Sequence, residues 1–236
     1  MQICTAPPVP DHALDESART ARSCGVQRHA HDLLKLRDLS RFDGEPAWVR
    51  DAFSRAPFAV VRRAQIAQGF IAIGIRGKSR AERYGTWARD ADVEAVFAPE
   101  DFVDVAPAPE RHTLPAFAAL AALRRDAAIV NGFAWGPAGS AGFELATQVP
   151  TVTSSSDLDL LIRAPERLSH EAALALLAEL HVHAGRAGVR IDAQLETPAG
   201  GIALVELAAG KAHVMARHAH GPRLVADAWS VKMDVA

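Results

Sequence analysis

Ser156-Asp157-Leu158-Asp159-Leu160-Leu161-Ile162 is the stretch whose reading decides the fold, because acidic and apolar residues alternate in it with a period of two. Side chains two residues apart on a β-strand project to the same side, so Asp157, Asp159 and Leu161 are expected on one face and Leu158, Leu160 and Ile162 on the other. The apolar face packs. The two carboxylates repel one another unless a cation compensates, and a divalent metal does this well. The same acids could instead be solvated residues of an edge strand, where charge discourages pairing with other chains. Two features of the surrounding sequence favour the first reading. A helix is expected soon after Ile162, as after an interior strand of an α/β layer. A second alternating stretch, Val189 to Glu196, sets Val189, Ile191, Ala193 and Leu195 against Arg190, Asp192, Gln194 and Glu196. If the two strands are neighbours, Asp192 joins Asp157 and Asp159, and three carboxylates suit two divalent ions roughly 3.5–4 Å apart. Mg²⁺ is the expected ion, with Mn²⁺ the other candidate, its shell completed by substrate phosphates.

Upstream lies Gly136-Pro137-Ala138-Gly139-Ser140, a glycine-containing turn after a short apolar strand (132–136) and before an expected helix from Ala141 to Thr147. Glycine admits a close phosphate, and a helix start offers N–H groups and a favourable dipole. Gly139 and Ser140 are therefore phosphate-binding candidates. The plainer reading is a strand-to-helix turn with Ser140 as the N-cap. No Gly-Lys-Ser/Thr follows, so this is not a Walker loop. Arg76, Lys78, Arg80 and Arg83 form the densest basic stretch, expected where a strand (69–75) meets a helix (76–88). They could clamp phosphates or form a solvated face. Arg163, just past the acidic strand, is a further candidate for a triphosphate.

The chain is read as a mixed α/β (α+β) protein in three parts: an irregular leader (1–30), a small α/β module (31–108) and a mixed-sheet domain with helices (109–236). The first part holds Pro7, Pro8 and Pro10 without sustained periodicity. In the second, a helix from Pro46 to Arg55 and strands at 58–62 and 93–97 are expected. Pro99, Pro107 and Pro109 then break the pattern. In the third, Leu114 to Ala128 reads as helix, as does Ser169 to Ala187, with Ser169 as N-cap, Gly188 as stop and Leu174, Leu177 and Leu180 at helical spacing. Pro198, Gly200 and Gly201 read as a turn, and His213 to Val225 as a hairpin around Gly221-Pro222.

With 26 basic and 28 acidic residues and a formal charge of −2, the composition argues against a general nucleic-acid binder. Only Cys4 and Cys24 occur, so neither a disulfide framework nor a zinc ribbon is expected, and a cytoplasmic protein is. No apolar run approaches membrane-spanning length, and the first residues lack the pattern of a secretory signal. His181 and His183 diverge on a helix, while His218 and His220, near a turn, lack an acidic or cysteine partner for zinc.

Gly139-Ser140, then Asp157-Leu158-Asp159-Leu160, then Asp192 resemble the nucleotidyltransferase superfamily. Sixteen residues separate Ser140 from Asp157, more than that pattern usually inserts. A narrower resemblance accommodates them. Residues 135–147 (WGPAGSAGFELAT) and 156–163 (SDLDLLIR) are similar to the malonate decarboxylase holo-acyl-carrier-protein synthases, also called phosphoribosyl-dephospho-CoA transferases. The likeness extends to His31-Asp32-Leu33-Leu34, Val61-Arg62-Arg63-Ala64, Gly74-Ile75-Arg76-Gly77, residues 192–197 and residues 221–224. It implies transfer of the phosphoribosyl-dephospho-CoA group from triphosphoribosyl-dephospho-CoA to a serine of the apo acyl carrier subunit of malonate decarboxylase, with pyrophosphate leaving. It further implies that Asp157, Asp159 and Asp192 are the catalytic metal ligands and that Gly139 and Ser140 hold the departing phosphates. Two other readings stand beside it: an ATP-dependent nucleotidyltransferase acting on another small molecule or protein, and a non-catalytic binding module.

Overall fold

A computed structural model describes residues 2–3, 28–65, 67–126, 128, 130 and 132–230. Cys4, Cys24 and most of the expected leader lie outside the described residues. The chain divides into two compact units, Met1–Phe97 and Ala98–Ala236, so the division falls before Pro99, Pro107 and Pro109. Among the described residues both units mix strands and helices in an α+β arrangement, each around one six-stranded sheet.

The first unit runs β1 (Gln2–Ile3), β2 (Leu33–Leu36), α1 (Trp48–Arg55), β3 (Phe58–Val61), β4 (Phe70–Arg76), β5 (Arg83–Arg89) and β6 (Val93–Phe97). The strand order is β1-β5-β4-β3-β2-β6, antiparallel except for β1 beside β5. Leu34, Leu36, Ala59, Val61, Ile73 and Ile75 form the core of one sheet face with Val49 and Ala52 of α1. The helix expected from Arg76 to Ala88 is not there. Residues 77–82 are a loop, and Arg83–Arg89 is the second strand of a hairpin paired with β4 from Phe70↔Arg89 to Arg76↔Arg83. Tyr84, Thr86 and Trp87 favour strand, and all five residues from Tyr84 to Ala88 are buried, so the period-two signal is hidden. The loop closes through Gly77 N–H donating to Glu82 O (2.8 Å) and Ser79 N–H to the Glu82 carboxylate (2.8 Å).

The second unit runs α2 (Pro115–Arg125), β7 (Trp135–Pro137), α3 (Gly139–Thr147), β8 (Leu158–Arg163), α4 (His170–Ala187), β9 (Ile191–Thr197), β10 (Gly200–Ala203), α5 (Leu204–Ala208), β11 (Val214–His218) and β12 (Gly221–Val225). Its sheet is mixed, in the order β12-β11-β10-β9-β8-β7. β8 and β9 pair in parallel across the α4 crossover, and all other neighbours are antiparallel. β8 is therefore an interior strand, which excludes the edge-strand reading of its acids. Leu158, Leu160 and Ile162 are fully buried, as the alternation predicts, but Leu161 on the acidic face is also only 1% exposed. On that face α3 packs against β8, Leu161 is buried, and Asp157, Asp159 and Arg163 are partly exposed.

Three further expectations change. Pro198-Ala199 make the β9–β10 turn, while Gly200 and Gly201 begin β10. The short strand starts at Trp135 rather than Gly132. On α4 the buried stripe is Ala173, Leu176, Leu180, His183 and Ala184, and Leu174 is exposed. Alanine and histidine positions carry part of that stripe, and leucine spacing alone misplaces it. Ser169 does cap α4, accepting from Ala172 N–H at 3.1 Å, and Gly188 closes it. Ser169→Ala should lower the stability of the second unit by about 1 kcal/mol in urea unfolding.

Candidate functional site

The parallel ladder sets Leu158 opposite Ile191 and Asp159 opposite Asp192, so the Asp159 and Asp192 side chains leave the same face on adjacent strands. Strands stand about 4.8 Å apart. Asp157 precedes Asp159 by two residues on that face, where Leu158 N–H bonds to Arg190 O at 2.9 Å. The three carboxylates lie near Arg190, a residue that no sequence motif marks. Its Nε donates to Asp192 Oδ1 at 2.7 Å and its Nη2 to Asp192 Oδ2. The hydrogen bond to Asp192 and then the Asp192 charge hold the guanidinium above its ordinary pKa, with Asp157 and Asp159 adding to the effect. Arg190 is thus the cation that neutralises the acidic face. The only sequence signal for it was its place on the polar side of the second alternating stretch. The pair with Asp192 is solvent-exposed, and exposed ion pairs contribute little, so separating the two residues costs little.

Gly139 closes the site from the other side. Ala138 N–H donates to Asp159 O at 2.9 Å, binding the start of α3 to the acidic strand. Gly139 has φ +56°, and a Cβ there would overlap Asp159 Oδ2. Only glycine lets the carboxylate lie against the helix start. Ser140 lies inside the first turn of α3, and the N-cap is Ala138, which offers no capping side chain. The first N–H groups of α3 therefore stand beside Asp159 with no side chain capping them.

The residues between Ser140 and Asp157 are the rest of α3 and a return loop, and a buried ion pair fixes that loop. Glu144, 3% exposed, bonds to Arg111 through both carboxylate oxygens and accepts from Thr151 N–H (2.6 Å) and Val152 N–H (2.7 Å). Arg111 also donates to Val152 O at 2.6 Å, and Thr151 Oγ1 donates to Ser140 O at 3.3 Å. Burial alone would push the Glu144 carboxyl up, but the bonds from Arg111, Thr151 and Val152 outweigh it and hold it below the ordinary carboxylate value. Five residues on from Val152, the chain delivers Asp157.

The other predicted residues lie elsewhere. Arg163 is on the acidic face of β8, four residues past Asp159 and so about 13 Å along the strand. Its Nε bonds to Glu100 at 2.6 Å. Arg76 ends β4 and Lys78 is exposed in the following loop, both in the first unit. His183 is buried with Nε2 3.4 Å from Asp126, and His218 and His220 stack at 5.2 Å on the β11–β12 turn. Among the described residues no three His, Cys, Asp or Glu side chains form a group that could by itself hold a metal ion. Asp157, Asp159 and Asp192 are oxygen donors of the chemical type a hard divalent cation takes, and such a cation needs only one or two carboxylates when substrate phosphates fill the rest of its shell.

The sequence matches two families: that described as the phosphoribosyl-dephospho-CoA transferase MdcG N-terminal domain over residues 29–99, and that described as the MdcG C-terminal domain over residues 104–228. It is 42% identical over 188 residues to the phosphoribosyl-dephospho-CoA transferase of Pseudomonas putida (strain W619), covering 79% of this chain and 87% of that protein. It is 40% identical over 202 residues to the one from Pseudomonas aeruginosa, covering 85% and 93%. With that of Azotobacter vinelandii it shares 38% over 205 residues, 84% and 93%. No solved structure matches the chain.

Glu144→Gln should cost roughly 2–3 kcal/mol at neutral pH, because it leaves Arg111 and two backbone N–H groups poorly matched. The sign of its pH dependence follows from the lowered folded pKa. The carboxylate stabilises the fold fully above its unfolded pKa of about 4.3 and ceases to as pH falls through the lower folded value. Urea unfolding across that range should therefore show the wild type losing its advantage over Glu144→Gln as pH drops.

Proposed function

The chain belongs to the phosphoribosyl-dephospho-CoA transferase family and is a transferase, and from that premise we propose that it carries the phosphoribosyl-dephospho-CoA group from triphosphoribosyl-dephospho-CoA to a serine of the apo acyl carrier subunit of malonate decarboxylase, in the cytoplasm. The observation that carries the reading is the register Asp159↔Asp192 with Gly139 closed against Asp159. It groups three carboxylates and a helix start at one end of a sheet, the combination that phosphoryl transfer needs.

Asp157, Asp159 and Asp192 would hold divalent metal, Mg²⁺ or Mn²⁺. Bound there, the metal lowers the pKa of the attacking hydroxyl and neutralises charge on the leaving diphosphate. The serine Oγ forms a bond to the α-phosphorus, the bond from that phosphorus to the bridging oxygen breaks, the serine proton passes to solvent, and pyrophosphate leaves. The backbone N–H groups at Gly139 and Ser140 receive the departing phosphate oxygens, aided by the dipole of α3. Arg190, released from Asp192, remains within reach of the same end of the sheet and gives the pyrophosphate a guanidinium partner. The buried Glu144–Arg111 pair keeps the loop before Asp157 in place, so that the carboxylate does not have to be ordered when substrate arrives.

Intact mass spectrometry of the apo carrier subunit, incubated with the protein, Mg²⁺ and triphosphoribosyl-dephospho-CoA, tests the proposal. The carrier should gain the mass of the prosthetic group, and Asp159→Asn or Asp192→Asn should slow that gain by about a hundredfold or more. An adenylyl-sized gain with ATP and none with the CoA derivative would point to a different nucleotidyl transfer. Gly139→Ala, which forces the Asp159 carboxylate aside, is expected to reduce the rate by a similar margin while circular dichroism shows the fold retained.

A further inference from the structure

On the face of the first unit's sheet opposite its α1-packed core lies an arginine that meets no carboxylate among the described residues. Antiparallel partners share a side, so Gly74↔Gly85, Arg76↔Arg83 and Ala72↔Trp87 lie on this face, together with Val60 and Arg62 of the adjoining chain. Arg62 N–H bonds to Ala72 O at 2.9 Å, and the side chain then crosses β4 at Gly74. Its guanidinium ends over Gly85, where a Cβ would stand 2.5 Å from Nη1, 2.9 Å from Cζ and 3.4 Å from Nε. Three atoms of the planar group thus lie close above one glycine, and any side chain at position 85 would evict them. Burial lowers the pKa of Arg62, and no neighbouring group offsets it. No acceptor among the described residues engages its N–H groups. Two residues from Gly85 on the same face, Trp87 is 6% exposed and its indole N–H also lacks an acceptor.

These features run against the ordinary economy of a fold. An ion partly withdrawn from water without a partner is unfavourable, and so is a buried indole N–H without an acceptor. Each anomaly is an excess of positive charge or of N–H donors, and each is relieved by the same thing, an anion rich in acceptor oxygens.

We propose that this face is a binding site for a phosphate-bearing small molecule, with the Arg62 guanidinium fork gripping two phosphate oxygens and Arg76 and Arg83 supplying charge. A planar fork suits a phosphate better than an ammonium does, and the Gly74–Gly85 pair is the seat that keeps it flat. The assignment is independent of the acidic site, because it requires no metal and no residue of the second unit.

Calorimetric titration of the full chain in EDTA with inorganic pyrophosphate, and separately with 3′-dephospho-CoA, tests the proposal. Wild type should bind both; Arg62→Gln and Gly85→Ala should each weaken binding about tenfold or more; and Asp159→Asn should leave it unchanged. Arg62→Gln removes a partly desolvated charge, so its thermal stability should equal or exceed that of wild type, and pyrophosphate should raise the Tm of wild type and of Asp159→Asn but not that of Arg62→Gln. Tighter binding of dephospho-CoA than of pyrophosphate would make the nucleotide the source of the phosphate. The reverse order would make it the inorganic product. Absence of binding to wild type, or binding unaffected by both substitutions, would overturn the proposal. So would Arg62-dependent capture of the apo carrier subunit without any pyrophosphate binding, which would make the face a protein-docking surface.

Discussion

Carboxylates do not gather on their own, and the rest of this structure depends on the ladder that makes them do so. Asp159 and Asp192 are adjacent because β8 and β9 pair in parallel, with the registers Leu158↔Ile191 and Leu160↔Ala193 on the opposite face. Leu158, Leu160, Ile162 and Leu195 are almost completely buried there. Each such side chain contributes about 1.5–3 kcal/mol on leaving water. Exposed like charges oppose one another far more weakly, so the hydrophobic face sets the register and the acidic face follows. A slip of one residue would turn Asp159 into the core and Leu160 into solvent, which fixes the site as firmly as the fold.

Two ion pairs near the site do opposite work, and burial decides which. Glu144 and Arg111 lie inside the second unit, and Glu144 also receives two backbone N–H groups, so removing either partner leaves a charge with nowhere to go. That pair is architectural, since it fixes the loop after α3 and hence the approach to Asp157. Arg190 and Asp192 lie in solvent, where the pair is weak and exchangeable. An exchangeable counter-ion is what a site needs if it must rest without its cation and open when one arrives with substrate.

The candidate acids are easier to read in the sequence than the fold around them. Asp157, Asp159 and Asp192 stood out because alternation is clean wherever one face of a strand is wet, and the Ser169 cap and Gly188 stop of α4 were legible for equally local reasons. Arg83–Arg89 was misread because burial of both sides of its central residues removes the alternation, leaving only the basic residues and the alanine to suggest a helix. Arg190 and the Glu144–Arg111 pair could not be singled out. Each owes its role to a partner brought near by tertiary structure, and Arg111 lies 33 residues from Glu144. Arg163 follows the acids in the sequence, and only the fold reveals Glu100 as its partner.

The same device recurs in both units, with the charge reversed. In the second unit a missing Cβ at Gly139 lets the Asp159 carboxylate lie against a helix start; in the first, a missing Cβ at Gly85 lets the Arg62 guanidinium lie on a strand. In each case the glycine brings an ionic group to a distance from the backbone that no other residue permits. Arg62 has no acceptor among the described residues, whereas the acids are met by Arg190. The acids are thus shielded until needed, while the guanidinium is left bare.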